Sequence, residues 1–124
     1  MQLYASVGSN GLDRAVDFYE TLLGSIGWNK LFDNPVGGCF FGSVQEGMFA
    51  VVKPFNGEAA TVGNGTMIGF AFNSRSEVDA FYNRAIELGA ADEGAPGDRG
   101  GGSYFAYFRD LDGNKLCAWT FAPN

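Results

Sequence analysis

The chain contains no histidine. Without imidazole it has no side chain whose ordinary pKa suits general acid–base work at neutral pH. Any metal centre would have to be built from carboxylates and thiolates, which is unusual for zinc, nickel or catalytic iron. Cysteine is nearly absent as well. Cys39 and Cys117 are the only two, and in a chain of this kind they read as free thiols rather than a disulfide framework. There is no long uncharged apolar run, so no transmembrane span is expected. The start, Met-Gln-Leu-Tyr-Ala-Ser, lacks the basic residues and apolar stretch of a secretory leader, and the cytoplasm is the expected compartment. Lys and Arg number only eight, form no run and leave a formal charge of −6, which argues against nucleic acid as a partner.

What remains is a 124-residue chain that is 46% apolar, enough for one globular domain with an ordinary core. Leu3, Ala5 and Val7 alternate with Tyr4, Ser6 and Gly8, predicting a strand over 2–8. From Leu12 to Leu23 the apolar residues recur at helical spacing, with Asn10 as the expected N-cap and Gly24 or Gly27 as the stop. Runs over 28–32, 39–43 and 48–55 read as three further strands. Residues 56–65 carry no apolar period and read as a mobile connection. The pattern then repeats. A strand over 66–73 precedes Ser74, an N-cap with Glu77 three residues later, and a helix closed by Gly89. Asp98-Arg99-Gly100-Gly101-Gly102 reads as a flexible loop, and Tyr104–Trp119 as a hairpin turning at Asp110-Leu111-Asp112-Gly113-Asn114. Phe18-Tyr19 and Phe81-Tyr82 hold matching places on the two helices, as do Glu46-Gly47 and Asp112-Gly113 in the two last hairpins. The expectation is a single α+β domain of two βαβββ modules, about 1–57 and 65–122. They would form a curved, mostly antiparallel sheet around a concave pocket, with one helix behind each module.

Asp-Leu-Asp-Gly-Asn followed by an apolar strand, with Val78-Asp79-Ala80-Phe81-Tyr82 and Phe18-Tyr19 upstream, resembles the vicinal oxygen chelate superfamily. That superfamily includes glyoxalase I, fosfomycin-resistance thiol transferases, extradiol dioxygenases and bleomycin-resistance proteins. In its metal-dependent members the ligands come from the first and last strand of each module and are usually His or Glu. Carried over by position, the resemblance points to Tyr4, Val51, Met67 and Cys117. Val51 comes from the repeat, since it lies four residues after Gly47 as Cys117 lies four after Gly113. Val cannot coordinate and the others make a poor set, so neither metal nor cofactor is expected.

By alternation the same face would carry Phe49, Lys53, Lys115 and Trp119, with Ser6, Phe55, Gly69, Ala71 and Phe121 beside them. The ligand-binding candidates are therefore Tyr4, Phe49, Val51, Lys53, Met67, Lys115, Cys117 and Trp119. Three functions stay open. One is a metal-independent binder of a small, partly aromatic or apolar molecule, paired as a homodimer as the resemblance implies. A second is a lyase, transferase or dioxygenase with an atypical or absent metal centre, using Tyr4, Cys117 or Glu46 to handle protons. A third is a protein-interaction module with a filled cavity.

Overall fold

A computed structural model describes residues 2–43 and 45–124. The chain falls into two compact units, Met1–Gly63 and Asn64–Asn124. Both run strand, helix, three strands, so the α+β class and the two βαβββ modules expected from the repeat are present.

In the first unit β1 (Tyr4–Gly8) leads into α1 (Leu12–Gly24), followed by β2 (Lys30–Asp33), β3 (Gly38–Ser43) and β4 (Gly47–Val52). The sheet order is β1-β4-β3-β2, with β1 parallel to β4 and the other pairs antiparallel. The helix turns Ala15, Phe18, Tyr19, Leu22 and Leu23 inward. Against them the sheet presents Val7, Cys39, Phe41, Phe49 and Val51, all buried. Tyr19 and Phe49 meet with ring centroids 4.8 Å apart. Each such large side chain contributes about 1.5 to 3 kcal/mol by leaving water, which is why the helix stays on this face.

Asn10 does not cap α1. The cap position is Gly11, without a side-chain bond. Ser9 Oγ accepts from the Gly11 amide at 2.9 Å, and the Asn10 amide pairs both ways with Ala60, donating at 3.1 Å and accepting at 2.7 Å. The segment expected to be a mobile connection is thus tied back to the start of α1. It also lies against β1 so closely that a Cβ placed on Gly8 would stand 2.9 Å from the Ala60 Cβ.

The second unit has β5 (Ile68–Ala71), α2 (Arg75–Glu87), β6 (Ala91–Asp98), β7 (Tyr104–Arg109) and β8 (Lys115–Thr120), in the order β5-β8-β7-β6. Ser74 caps α2 as expected: its Oγ accepts from the Glu77 amide and donates to the Glu77 carboxylate. Phe81 of α2 packs against Phe70, Phe72 and Phe108 at centroid distances of 5.4, 5.1 and 6.0 Å. Gly89 follows the helix at φ +105°, a left-handed stop that favours glycine. β6 fills the strand place that the repeat implies, although its own residues carry no strand signal. It contains Gly94, Pro96 and Gly97, breaks register with β7 on both sides of Gly94, and survives because it is an edge strand.

The turn 110–114 of the β7–β8 hairpin is built on two buried polar side chains, Asp110 and Asn114. The Asp110 carboxylate accepts from the amides of Asp112 and Asn114 and from Asn114 Nδ2, each at 2.9 Å. Gly113 supplies the positive φ the turn requires, +89°.

Candidate functional site

Each sheet has one face against its helix and one face turned away from it. In the second unit Phe70 touches α2, so its partner Ala118 and, by alternation, Leu116, Phe108 and Ala106 share the helix side. Lys115, Cys117 and Trp119 of β8, with Phe105, Tyr107 and Arg109 paired opposite them on β7, therefore share the other side. This agrees with the alternation read along the last strand.

On this face Tyr107, Phe105 and Trp119 form a run of nearly parallel rings. Tyr107 and Phe105 are 5.8 Å apart at 18°, and Phe105 and Trp119 are 5.9 Å apart at 14°. Phe121, 63% exposed, stands edge-on at the Trp119 end. Gly69 makes room for the indole: an added Cβ would stand 2.9 Å from Cys117 Sγ and 3.2 Å from Trp119 Nε1. Met67, ahead of β5, is 43% exposed. Lys115 Nζ lies 5.2 Å from the centre of the Tyr107 ring. Cys117 is buried between its neighbours. Burial pushes its thiol up to about 11, and Lys115 only partly offsets this. A thiol held so far above neutrality is protonated and a poor nucleophile.

In the first unit the corresponding face carries Tyr4, Phe40 and Phe32, with Tyr4 and Phe40 rings 5.4 Å apart and Phe32 stacked on Phe40 at 4.6 Å. Tyr4 and Phe40, with Val36 and the segment 52–56, line a groove of about 670 Å³. Phe55 is almost wholly exposed at its rim.

Two sequence candidates move. Phe49 and Val51 are on the helix side of β4, fully buried against α1, and not on the open face. The reason is a one-residue slip in matching the two halves. Gly47 is the first residue of β4, opposite Ser43, whereas Gly113 lies inside its turn, two residues ahead of β8. Counting from the two glycines therefore lands on opposite faces. Registration from the helices gives the true match. Ser6 and Gly69 stand equally far ahead of Leu12 and Arg75, and they face Ala50 and Cys117 across the sheet. Tyr4, Lys53, Met67, Lys115, Cys117 and Trp119 keep their side or lie in the groove. Phe32, Phe40, Phe105, Tyr107 and Arg99 were missed. The period-2 pattern of 104–109 read against its hairpin partner was the signal for Phe105 and Tyr107.

With that registration the positions to which the resemblance points are Tyr4, Ala50, Met67 and Cys117. A phenol, a methyl group, a thioether and a buried protonated thiol do not fit a divalent ion of the His and Glu type. Among the described residues no three His, Cys, Asp or Glu side chains come together to replace them. No helix among them is long and apolar enough to cross a membrane.

Residues 3–118 match the Glyoxalase/Bleomycin resistance protein/Dioxygenase superfamily. A crystal structure of a glyoxalase/bleomycin resistance protein from Albidiferax ferrireducens T118 is similar over 94% of this chain and 95% of that one, with 40% identity and a TM-score of 0.85. Two further likenesses, below 25% identity, speak for the fold alone. One is a family enzyme from Burkholderia phytofirmans PsJN, with 16% identity, a TM-score of 0.76 and 95% and 96% coverage. The other is a lactoylglutathione lyase from Agrobacterium tumefaciens, with 23% identity, a TM-score of 0.72 and 97% and 92% coverage. A search of the curated proteins found no match. The match across nearly the whole sequence, the 40% identical relative and the paired βαβββ modules agree: the chain belongs to the glyoxalase/bleomycin resistance protein/dioxygenase superfamily.

Proposed function

We propose that this protein is a metal-independent binder of a small, flat, largely apolar molecule. The observation that carries this is the set of rings on the faces turned away from the helices, beside positions whose side chains do not suit a metal: Tyr4, Phe40 and Phe32 in one unit, Tyr107, Phe105 and Trp119 in the other. Flat rings offer large, rigid contact area to a flat ligand, and a groove of about 670 Å³ is of the size small-molecule sites commonly have. An enzyme using Cys117 is disfavoured by the high pKa of its buried thiol. Pairing of two copies belongs to the same proposal. Exposed apolar side chains at Leu3, Leu31, Phe32 and Val36 favour a covered surface.

The test is a screen of small aromatic compounds by thermal shift, with and without EDTA, followed by Trp119→Ala. Ligands should raise the melting temperature equally in both buffers. Trp119→Ala should weaken binding by roughly 1 to 3 kcal/mol, the scale of a buried aromatic anchor. Binding abolished by EDTA, or affinity untouched by the substitution, would overturn the proposal. A monomeric mass in light scattering at micromolar concentration would remove the pairing from it.

A further inference from the structure

Lys30 pairs with Asp33, Arg75 with Asp98, Arg84 with Glu87 and Arg109 with Glu93. Among the described residues Arg99 and Lys115 have no carboxylate partner, and both lie against one ring. The Arg99 guanidinium is 5.4 Å from the centre of Tyr107 and Lys115 Nζ is 5.2 Å from it. In a chain of net charge −6, two uncompensated cations gathered at one aromatic side chain form a local positive site.

The backbone is shaped for this arrangement. Gly94, at φ +156° between the two register breaks of β6, leaves space where a Cβ would stand 3.0 Å from the Tyr107 ring and 3.4 Å from Arg99 Nη2. Arg99 Nη2 is held by the carbonyls of Ala95 and Phe105 at 2.6 and 3.0 Å. That fixes the guanidinium plane, and no bond within the described residues engages Nη1 or Nε. A fixed guanidinium with free N–H groups and an ammonium, both set against one ring, are donors of the kind that hold a carboxylate.

The two cations mark one end of the ring row. From Tyr107 it runs through Phe105 to Trp119 and closes on the exposed, edge-on Phe121. The row is thus charged at one end and apolar at the other. We propose that the ligand is a planar aromatic carboxylate, its ring system lying along Phe105 and Trp119 and its carboxylate held by Arg99 and Lys115 at Tyr107. This rests on the binding function proposed above and narrows it to a charge type and an orientation.

The experiment is calorimetric titration of the full chain with 2-naphthoate and with 2-naphthamide, which has the same shape without the charge, alongside inorganic phosphate. Naphthoate should bind at least about tenfold more tightly than the amide, as expected for hydrogen bonds to a charged group. Lys115→Met, a change at a half-buried position that keeps the aliphatic stem, should remove most of that ratio by weakening naphthoate alone. Arg99→Gln should act in the same direction. Raising salt should narrow the ratio as well. Equal affinity for acid and amide would overturn the anion assignment while leaving the aromatic shelf standing. Phosphate binding as tightly as naphthoate would overturn it in favour of a bare anion site. If neither naphthyl compound binds while other aromatic compounds do, the row is not this ligand's seat. If no aromatic compound binds, the underlying binding function falls too.

Discussion

The two modules share one plan and differ in what they place on the face away from the helix. In the first, Tyr4 and Phe40 border a groove completed by the segment after β4, which is tied down by Asn10 and Ala60, and Phe32 stacks on Phe40. In the second, the hairpin β7–β8 spreads three rings in a row with cations at one end. The helix sides, by contrast, are alike: an aromatic side chain on each helix, Tyr19 or Phe81, packs against phenylalanines of its sheet. The lesson is that the repeat is conserved by packing and diversified on the open face. A Phe is structural or available to a ligand according to the parity of its position on the strand, not its identity.

The sharpest way to break that comparison is Phe49→Ala. If Phe49 is helix-side core, truncation should cost about 3 to 5 kcal/mol of folding stability in a denaturant titration. Trp119→Ala, on the open face and only partly buried, should cost clearly less. Equal losses would mean that parity does not separate the two faces.

Parity also explains what was legible beforehand. Both helices, the Ser74 cap, the last hairpin and the open-face set Lys115, Cys117, Trp119 followed from local signals: a helical period, a capping pair, a turn with Gly113 and simple alternation. Phe49 and Val51 of the first module did not follow, because Val51 was inferred by matching glycines and Phe49 by alternation with it, and a glycine inside a turn is not equivalent to one opening a strand. β6 was illegible for another reason. Its Gly94, Pro96 and Gly97 lack strand propensity, and its pairing with β7 overrides that. Arg99 read as a residue of a flexible loop, since nothing local reveals that its guanidinium reaches back to the Ala95 and Phe105 carbonyls.

The hairpin turns offer a second contrast of smaller size. Asp110 organises the turn 110–114 from a buried position, accepting three hydrogen bonds at 2.9 Å. In the first module the nearest counterpart is Ser43, whose Oγ accepts from the Glu46 amide in an exposed setting. Asp110→Ala strands buried donors and should lower stability by about 2 to 3 kcal/mol, while Ser43→Ala should cost about 1 kcal/mol or less. Urea midpoints at constant slope read both. A turn in the second module that tolerates loss of Asp110 would show that strand pairing alone sets its register.

The smallest effect concerns Cys117, which separates a wall residue from a nucleophile. Burial lifts its thiol from an ordinary 9.0 to about 11 in the folded chain. Below pH 9 the thiol is protonated in both folded and unfolded chains, and its contribution to stability is fully present. Between about pH 9 and 11 the unfolded chain releases the proton while the native chain keeps it. Fewer protons are then bound to the unfolded state, so stability falls as pH rises through that window. Cys39, also raised by burial, provides a background common to both proteins if wild type is compared with Cys117→Ala. The difference in unfolding free energy between them should be flat from pH 7 to 8.5 and should move against the wild type from about pH 9 upward. Native protein at pH 8 should correspondingly label at Cys117 far more slowly than unfolded protein. Rapid labelling in the folded state, with no loss of stability in that window, would mean an accessible, activated thiolate beside Lys115. The second module would then be a site of covalent chemistry rather than a shelf for a ring.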